Sequence, residues 1–319
     1  MRNRCTILML HRLKTAELNV EQGQDPEILR RGLELLRRRK YSFLSLEEVF
    51  NKLGAGEQLP SRAVVFTQDD GYLEQAVIAA PIFEAYDCPA TTFVTSGFLD
   101  RKLWFWWDRI GYVFRNASNR RVSIDTEDEQ IALDWTEKSD LPRCEADLIA
   151  KCKTLPSSSV DELIAEFAIQ SEVSLPDLAP DGFKPMDWDQ LRAAEQQGMT
   201  FGPHTVTHPI LANCTETASD YEIETSWQRV AQEADRPCKV FCYPNGRLID
   251  FGQREVLKLE RLGFLGAVVG APGFARTKQN GSLFEVRRIP FPDDQINLIQ
   301  YTSGLESMKM MLRGMNSCR

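Results

Sequence analysis

Two adjacent carboxylates follow an apolar run directly in the segment VVFTQDDGYL, residues 64–73. Asp69 and Asp70 can divide two tasks between them, because one carboxylate can bind a cation while the other accepts a proton. An ordinary turn is the alternative interpretation, since an aspartate bonds to its own backbone and the following Gly71 tolerates positive φ.

The chain contains three histidines, at positions 11, 204 and 208. His204 and His208 lie four residues apart in HTVTH, and a helical turn would direct both imidazoles to one point. Two imidazoles and one carboxylate form a three-ligand set that leaves a divalent cation room for water and substrate. The spacing alone also fits surface or core histidines. Combined with the paired aspartates, it predicts a single metal centre.

These residues follow segments that alternate between strand and helix patterns. Asp25 and Pro26 predict the start of a helix that runs to about Arg39, and Ser45 predicts the start of another that ends at Gly54. Further helices are predicted around Pro81 and over residues 186–198 and 217–234. Strands are predicted within 5–10, 62–67, 90–96, 199–211, 239–246, 264–270 and 283–291. The alternation predicts an α/β fold with a parallel sheet, open or closed into a barrel, whose chemistry collects at the carboxyl ends of the strands.

Residues 100–185 interrupt this alternation. They begin with LWFWWDRIGYVF, continue through acid-rich sequence and contain a helical pattern after residue 156. We therefore expect a helical subdomain inserted at 100–185 into one domain that spans residues 1–319. Its tryptophans, Trp107 among them, fit either a sugar-stacking platform or lid, or the core of the insertion.

Three segments, TQDDGY, HTVTHP and FCYPNG, occur in the order found in the metal-dependent polysaccharide deacetylases, carbohydrate esterases of the NodB-homology type. The chain resembles that family over residues 4–98 and 186–290. The opening LMLHRL resembles a subgroup whose catalytic histidine lies near the N-terminus. The resemblance implies a distorted (β/α)7-type barrel that carries the insertion.

The resemblance also implies a role for each residue of the three motifs. Asp69 would act as the general base, and Asp70, His204 and His208 would hold one divalent metal ion. His11 would act as the general acid, because typical members use a histidine in a later motif and no histidine follows position 208 here. Zinc is the expected metal, with cobalt, nickel or manganese also compatible with these ligands.

Substrate contacts are also expected, and two positions depart from the family pattern. The backbone N–H of Asn245 would stabilise an oxyanion, although Pro-Asn-Gly also fits an ordinary turn.

Gln68 replaces an aromatic or apolar residue of the family pattern, and Cys242 stands where the family often has an arginine that orients the base. Arg287 or Arg288 could supply that arginine. The residues expected to contact substrate are Tyr72, Tyr243, Asn245, Arg288 and Trp107.

The composition narrows the class of partner. A formal net charge of −8 argues against nucleic acid as a partner, because phosphate binding needs clustered Lys and Arg. The N-terminal apolar run ends at His11 without a cleavage site, and no segment approaches the roughly 18 apolar residues of a membrane span. We therefore expect a cytoplasmic protein without a transmembrane segment, whose scattered cysteines are reduced.

Together these observations predict a metal-dependent deacetylase. It would remove an N-acyl group, acetyl first among the candidates, from an amino sugar that is nucleotide-linked, lipid-linked or part of an oligosaccharide. Two alternatives stay open: an amidohydrolase that acts on a small non-sugar amide or formamide, and a catalytically inactive barrel that binds glycans. The sequence does not predict the oligomeric state.

Overall fold

The computed structural model describes residues 3–126, 129–155, 157–276 and 282–303. The chain divides into two compact units. One contains the residues up to Asp100 together with those from Lys184 onward, and the other contains Arg101–Phe183.

The described residues form short strands, most of them in the first unit. In chain order they are β1 (Arg4–Leu10), β2 (Ser42–Phe43), β3 (Ala63–Asp70), β4 (Ala90–Val94), β5 (Arg121–Asp125), β6 (Gln130–Asp134), β7 (Met199–Pro203), β8 (Val240–Cys242), β9 (Gly266–Val269), β10 (Ala275–Arg276), β11 (Val286–Arg287) and β12 (Ile289–Pro290).

Helices alternate with these strands. They are α1 (Pro26–Arg38), α2 (Leu46–Gly54), α3 (Ala80–Ala85), α4 (Ser96–Leu99), α5 (Trp106–Asn116), α6 (Leu141–Cys152), α7 (Ser157–Gln170), α8 (Trp188–Gln196), α9 (Glu216–Glu233), α10 (Gln253–Arg261) and α11 (Gln295–Thr302). A π-helical turn, Gln75–Ala79, leads directly into α3.

The first two helices begin at the residues that the sequence predicts. Asp25 accepts a hydrogen bond from the backbone N–H of Glu27 at 2.8 Å, and Ser45 accepts one from Glu48 at 3.1 Å. Each side chain satisfies an N–H that has no partner inside its helix, and this fixes where the helix starts.

The larger sheet has the order β10–β1–β3–β4–β7, with β12 beside β1 and β2 beside β3. Every pair is parallel except β10 with β1. The register pairs Leu10 with Gln68 and Asp70 with Val94. The carboxyl ends of β1, β3 and β4 therefore lie at one edge of the sheet, as parallel strands require.

A second parallel sheet has the order β11–β9–β8. It adjoins the first through an isolated bridge between Phe201 and Pro237, and the backbone N–H of Cys238 donates to the carbonyl of Phe201 at 2.7 Å. Arg288 alone separates β11 in this sheet from β12 in the first. The predicted α/β barrel-type fold is confirmed, but the strand ladder does not close into a continuous barrel within the described ranges.

Side chains from β1 and β3 point alternately into two hydrophobic cores. Leu8 and Phe66 pack with helix residues such as Leu33, whereas Ile7 and Val65 pack on the opposite side. Alternation of this kind follows from the two-residue period of a strand. The second core also includes residues of the remaining strands, namely Phe93, Val240, Cys242 and Val268.

The second unit has a core of its own. Trp135 contacts Phe114 and Phe167 at ring-centroid distances of 4.7 and 5.7 Å. The sequence predicts a helical insertion, and the unit contains α5, α6 and α7, but it also contains an antiparallel hairpin of β5 and β6. The alternating Val122 and Ile124 are the sequence signal for that hairpin.

No helix within the part of the chain that the structure describes is long and apolar enough to cross a membrane. The cytoplasmic location stays a prediction from the sequence.

Gln68 offers a test of packing behind the paired aspartates. Its side chain is fully buried in β3, and its Oε1 accepts from Thr92 Oγ1 at 3.4 Å, but its Nε2 has no hydrogen-bond partner among the described residues. A buried donor without a partner costs about 1–3 kcal/mol. We expect Gln68→Met to raise the free energy of unfolding by about 1 kcal/mol, measured by chemical denaturation. Gln68→Glu is the control and should lower it, because it buries a carboxylate. A clear loss of stability in Gln68→Met would contradict this account.

Candidate metal centre

Asp69 and Asp70 form the carboxyl end of β3, and both are almost completely buried. Asp70 has φ 86° and Gly71 has φ 96°, so the strand alternation ends there. A Cβ on Gly71 would lie 2.6 Å from Leu99 Cδ1, and the position therefore requires glycine. Because of this turn, both carboxylates lie near His204.

His204 follows β7, and its backbone N–H donates to the carbonyl of Val94 at 3.0 Å. Its Nδ1 lies 2.7 Å from the carbonyl oxygen of Cys242. A carbonyl can only accept, so Nδ1 carries the proton and Nε2 presents its lone pair on the other side of the ring. Burial lowers the pKa of His204 to about 4, so the imidazole is neutral near pH 7.

His208 completes the convergence around Asp70. Asp70 Oδ1 lies 3.8 Å from His204 Nε2 and 3.6 Å from His208 Nε2. One ligand atom from each residue lies within 4.8 Å of the other two. The structure therefore brings together the three residues that the sequence assigns to the metal.

The path between the two histidines is not a helical turn. Thr205 has φ 66° and His208 has φ 61°, both in the left-handed region, so the segment is an irregular loop. Thr205 Oγ1 accepts from the backbone N–H of His208 at 3.0 Å. The two rings lie 4.8 Å apart with planes at 80°. Four-residue spacing correctly predicts that the rings meet, but not the backbone that makes them meet.

Glu222 of α9 holds this loop, and the sequence analysis did not identify it. Its Oε2 accepts from the backbone N–H of Val206 at 2.7 Å and of Thr207 at 2.9 Å, and its Oε1 accepts from Thr207 Oγ1 at 2.7 Å. The carboxylate is buried. Glu222 adjoins Ile223 on the buried stripe of α9, and an acidic residue in such a stripe is the signal that could have revealed it.

Asp69 forms a buried ion pair with Arg288. Nη1 and Nη2 of Arg288 donate to the two carboxylate oxygens at 2.6 and 2.7 Å. Arg288 also contacts Thr67 Oγ1 and Cys242 Sγ, each at 3.1 Å. Burial would raise the pKa of Asp69, but the guanidinium charge and its hydrogen bonds outweigh burial and hold that pKa well below its usual range.

The position of Arg288 distinguishes it from Arg287. Arg287 is exposed, and its Nη1 contacts the carbonyl oxygen of Pro272 at 3.4 Å. Arg288 is 1% exposed and uses both arms of its guanidinium on Asp69. It thus lies where it can orient Asp69, the role expected of either Arg287 or Arg288, and its burial argues against the expected contact with substrate.

His11 lies just beyond β1, on the outer side of Asp69. Its Nε2 is 3.8 Å from Asp69 Oδ2, and its side chain is 49% exposed. Partial removal from water lowers the pKa of His11, and the carboxylate of Asp69 opposes that lowering. The ring therefore has one side toward the candidate base and access to solvent.

Two other predicted substrate contacts are buried. Tyr72 is 1% exposed, with the Arg12 guanidinium 3.7 Å from its ring centroid. Tyr243 is equally buried and stacks on Phe251 at 3.7 Å. Neither ring presents a free face to a sugar, so we propose that both support the strand ends instead of contacting substrate.

The other two residues predicted to contact substrate are Asn245 and Trp107, and they lie in different compact units. Asn245 is exposed in a turn with φ 57°, where the backbone N–H of Gly246 donates to the carbonyl of Pro244 at 2.6 Å. Trp107 belongs to the second compact unit, where it stacks on Phe105 at 4.4 Å. Substrate contact by either residue stays a prediction.

Two overlapping groups of side chains have metal-ligand spacing. One is Asp70, His204 and His208, and the other is Asp69, His204 and Cys242. The second group fits a cation poorly, because Asp69 already uses both oxygens on Arg288 and burial raises the pKa of the Cys242 thiol well above its ordinary value. The first group combines two neutral imidazoles with one carboxylate, as an open divalent-metal site requires.

Comparison with known proteins identifies the family. Residues 56–264 match the sequence profile of the family described as polysaccharide deacetylase. No curated protein matches the chain.

Solved structures with a similar fold include several deacetylases. The deacetylase PplD of Streptococcus pyogenes, in complex with acetate, has a TM-score of 0.62 at 19% identity, over 95% of this chain and 100% of that chain. The de-N-acetylase of Aggregatibacter actinomycetemcomitans has a TM-score of 0.58 at 15% identity, over 94% and 100%. IcaB of Ammonifex degensii has a TM-score of 0.59 at 15% identity, over 94% and 96%. At these identities the likeness concerns the fold alone.

Metal binding tests the division of labour between the two aspartates. We expect the metal-free protein to bind one zinc ion, and Asp70→Asn and His204→Ala to weaken that binding by more than about 100-fold, beyond the usual effect of an outer-shell change. Asp69→Asn should change the affinity by no more than about tenfold, because Asp69 is held by Arg288. Isothermal titration calorimetry measures each affinity. An equal loss in Asp69→Asn and Asp70→Asn would place both carboxylates on the cation.

Proposed function

Because this chain belongs to the polysaccharide deacetylase family, as its three motifs predict, we propose that it is a metal-dependent hydrolase that removes an N-acetyl group from an amino sugar. Family membership supports deacetylation of a glycan. The proposal of metal dependence and of an amide bond depends on one observation: Asp70, His204 and His208 converge beside the Asp69–Arg288 pair.

Asp70, His204 and His208 would hold the cation. Zinc suits two imidazoles and a carboxylate, and cobalt, nickel or manganese also fit this donor set. A bound divalent ion polarises a carbonyl group and lowers the pKa of water.

Asp69 would accept the proton of the attacking water. Arg288 keeps this carboxylate ionised and fixes its plane, since both of its oxygens receive a hydrogen bond. The neighbouring Asp70 faces the imidazoles instead, so the two carboxylates do not compete for one task.

His11 would supply the proton that the leaving nitrogen needs. Water adds its oxygen to the carbonyl carbon and gives one proton to Asp69; the C–N bond then breaks, and the nitrogen takes a proton from His11 as it leaves with the bonding pair. The products are acetate and a free amine. The half-exposed ring of His11 can regain its proton from solvent. The backbone N–H of Asn245 is our candidate for stabilising the oxyanion that develops.

The family and the sequence support a proposal about the substrate class. We propose an N-acetylated amino sugar within an oligosaccharide or linked to a nucleotide or lipid. A small non-sugar amide or formamide is the second candidate, because the same groups would serve any amide. An inactive glycan-binding barrel is disfavoured, because the chain retains all three proposed metal ligands and both proposed acid–base residues.

Acetate release tests the reaction itself. We expect the zinc-loaded protein to release acetate from an N-acetylglucosamine oligomer, and a strong chelator to abolish the release. Asp69→Asn should lower kcat by about 10²–10⁴-fold, the usual contribution of a general base. A coupled acetate assay measures each rate, and a nucleotide-linked N-acetyl sugar and a small formamide complete the panel. Undiminished turnover in chelator would refute metal dependence.

Arg288 should control the pH dependence of the reaction. The guanidinium lowers the pKa of Asp69, so its removal raises that pKa and leaves the base protonated over a wider acidic range. Arg288→Met removes the cation, so we expect it to shift the acidic limb of the kcat/KM profile to higher pH and to lower kcat/KM; Arg288→Lys keeps a positive charge and should shift that limb less.

Arg288→Met should also cost about 3–5 kcal/mol of stability, because it breaks a buried ion pair. Arg287→Met is the matched control at the exposed neighbouring position and should leave the profile unchanged. An unshifted profile in Arg288→Met would show that the pair does not tune the proposed base.

A further inference from the structure

Gln75 connects the ends of two strands beneath the proposed acid and base. It begins the π-helical turn that follows the acidic segment, and its side chain is fully buried. Its Nε2 donates to the carbonyl oxygens of His11 and Asp69, each at 2.5 Å. Its Oε1 accepts from the backbone N–H of Gly71 at 3.2 Å. The amide thus makes three hydrogen bonds with three backbone groups.

The strand register explains why a side chain is needed there. The ladder between β1 and β3 ends at the pair Leu10 and Gln68. His11 and Asp69 are the next residues along the chain, outside this ladder, and their carbonyl oxygens can accept from a donor that the ladder does not supply. An amide nitrogen carries two N–H groups and can donate to both. Gln75 therefore continues the connection between the strands for one more residue.

No ordinary replacement preserves this connection. Glutamate has no donor when ionised, asparagine is one methylene shorter, and methionine has a similar length but no N–H. The neighbouring residues add a second attachment for the same segment: Arg12 forms an ion pair with the buried Glu74. Residues 11–12 are thus held by side chains of the turn that follows the acidic segment. π-helical turns of this kind are frequent at functional sites.

We propose that Gln75 is a positioning residue that holds His11 beside Asp69, and this inference rests on the proposed role of His11 as the general acid. His11 is the half-exposed member of the site, so its place depends on its backbone more than on packing of its ring. Without the amide, the end of β1 separates from the end of β3, and the imidazole moves away from the position 3.8 Å from Asp69.

Two substrates with different leaving groups distinguish a positioning role for Gln75 from a general loss of active-site structure. An amide must receive a proton as its nitrogen departs, whereas 4-nitrophenyl acetate releases a phenolate that needs none. We expect Gln75→Met and Gln75→Glu to lower kcat on the N-acetylglucosamine oligomer by at least about tenfold, within the range of general-acid effects. KM should change little, and hydrolysis of 4-nitrophenyl acetate should stay within about threefold of wild type.

A double variant tests whether Gln75 acts through His11. Gln75→Met combined with His11→Gln should be no slower on the oligomer than His11→Gln alone, because residues of one functional unit are not additive. Gln68→Met is the matched control. Gln68 is a buried glutamine of β3 whose side chain contacts Thr92 of β4, not the end of β1, so the substitution should leave both activities unchanged. Equal losses on both substrates, additive losses, or a similar effect of Gln68→Met would overturn the proposal.

A measurement without turnover separates this inference from the proposed function. The chain has three histidines, so NMR of the imidazole groups gives three sets of signals, and His11→Gln identifies one of them. We expect Gln75→Met to shift the His11 signals and to leave those of His204 and His208 in place. Unchanged His11 signals would refute the positioning role. If the wild-type protein releases no acetate, the proposed function is refuted instead.

Discussion

The buried ion pair between Asp69 and Arg288 determines what each of the two adjacent aspartates can do. Both carboxylates leave the end of one strand and lie near His204, and without further constraint either could face a cation. Arg288 donates to both oxygens of Asp69, which leaves Asp70 as the carboxylate that faces both imidazoles. A charged pair this deeply buried costs desolvation that a salt bridge rarely recovers in stability. We propose that its value here lies in selecting Asp69 as the base and keeping it ionised.

Backbone strain accompanies this arrangement at each of the three motifs. Asp70, Thr205, His208 and Asn245 all have positive φ, which non-glycine residues rarely adopt. These residues lie at or just beyond strand ends, where the chain changes direction. The surrounding bonds offset the strain: Thr205 and Glu222 bind the histidine loop, and Gly71 avoids a clash with Leu99. These contacts fix the side chains without help from a ligand, as the proposed metal and acid–base chemistry requires.

Much of the fold could be predicted from local patterns. Helix caps at Asp25 and Ser45, and the apolar runs that end at His11 and Asp69, have local causes and appear where expected. The hairpin of β5 and β6 was missed, because its strands are short and polar on one face. Gln75 and Glu222 were missed for a different reason. Each is an ordinary polar residue in its own segment, and its importance arises only from backbone groups that distant parts of the chain bring to it.

The sequence by itself determined the types of residue at the site and the order of the strands that carry them. Its motifs contain the donors for a divalent cation, a second carboxylate and an N-terminal histidine, and they identify the family. Only the tertiary structure decided that Arg288 rather than Arg287 meets Asp69, that Tyr72 and Tyr243 are buried, and that the loop joining the histidines contains two residues with positive φ. Local sequence specifies conformation over a few residues, whereas the partners of a buried charge depend on how strands far apart in the chain pack against one another.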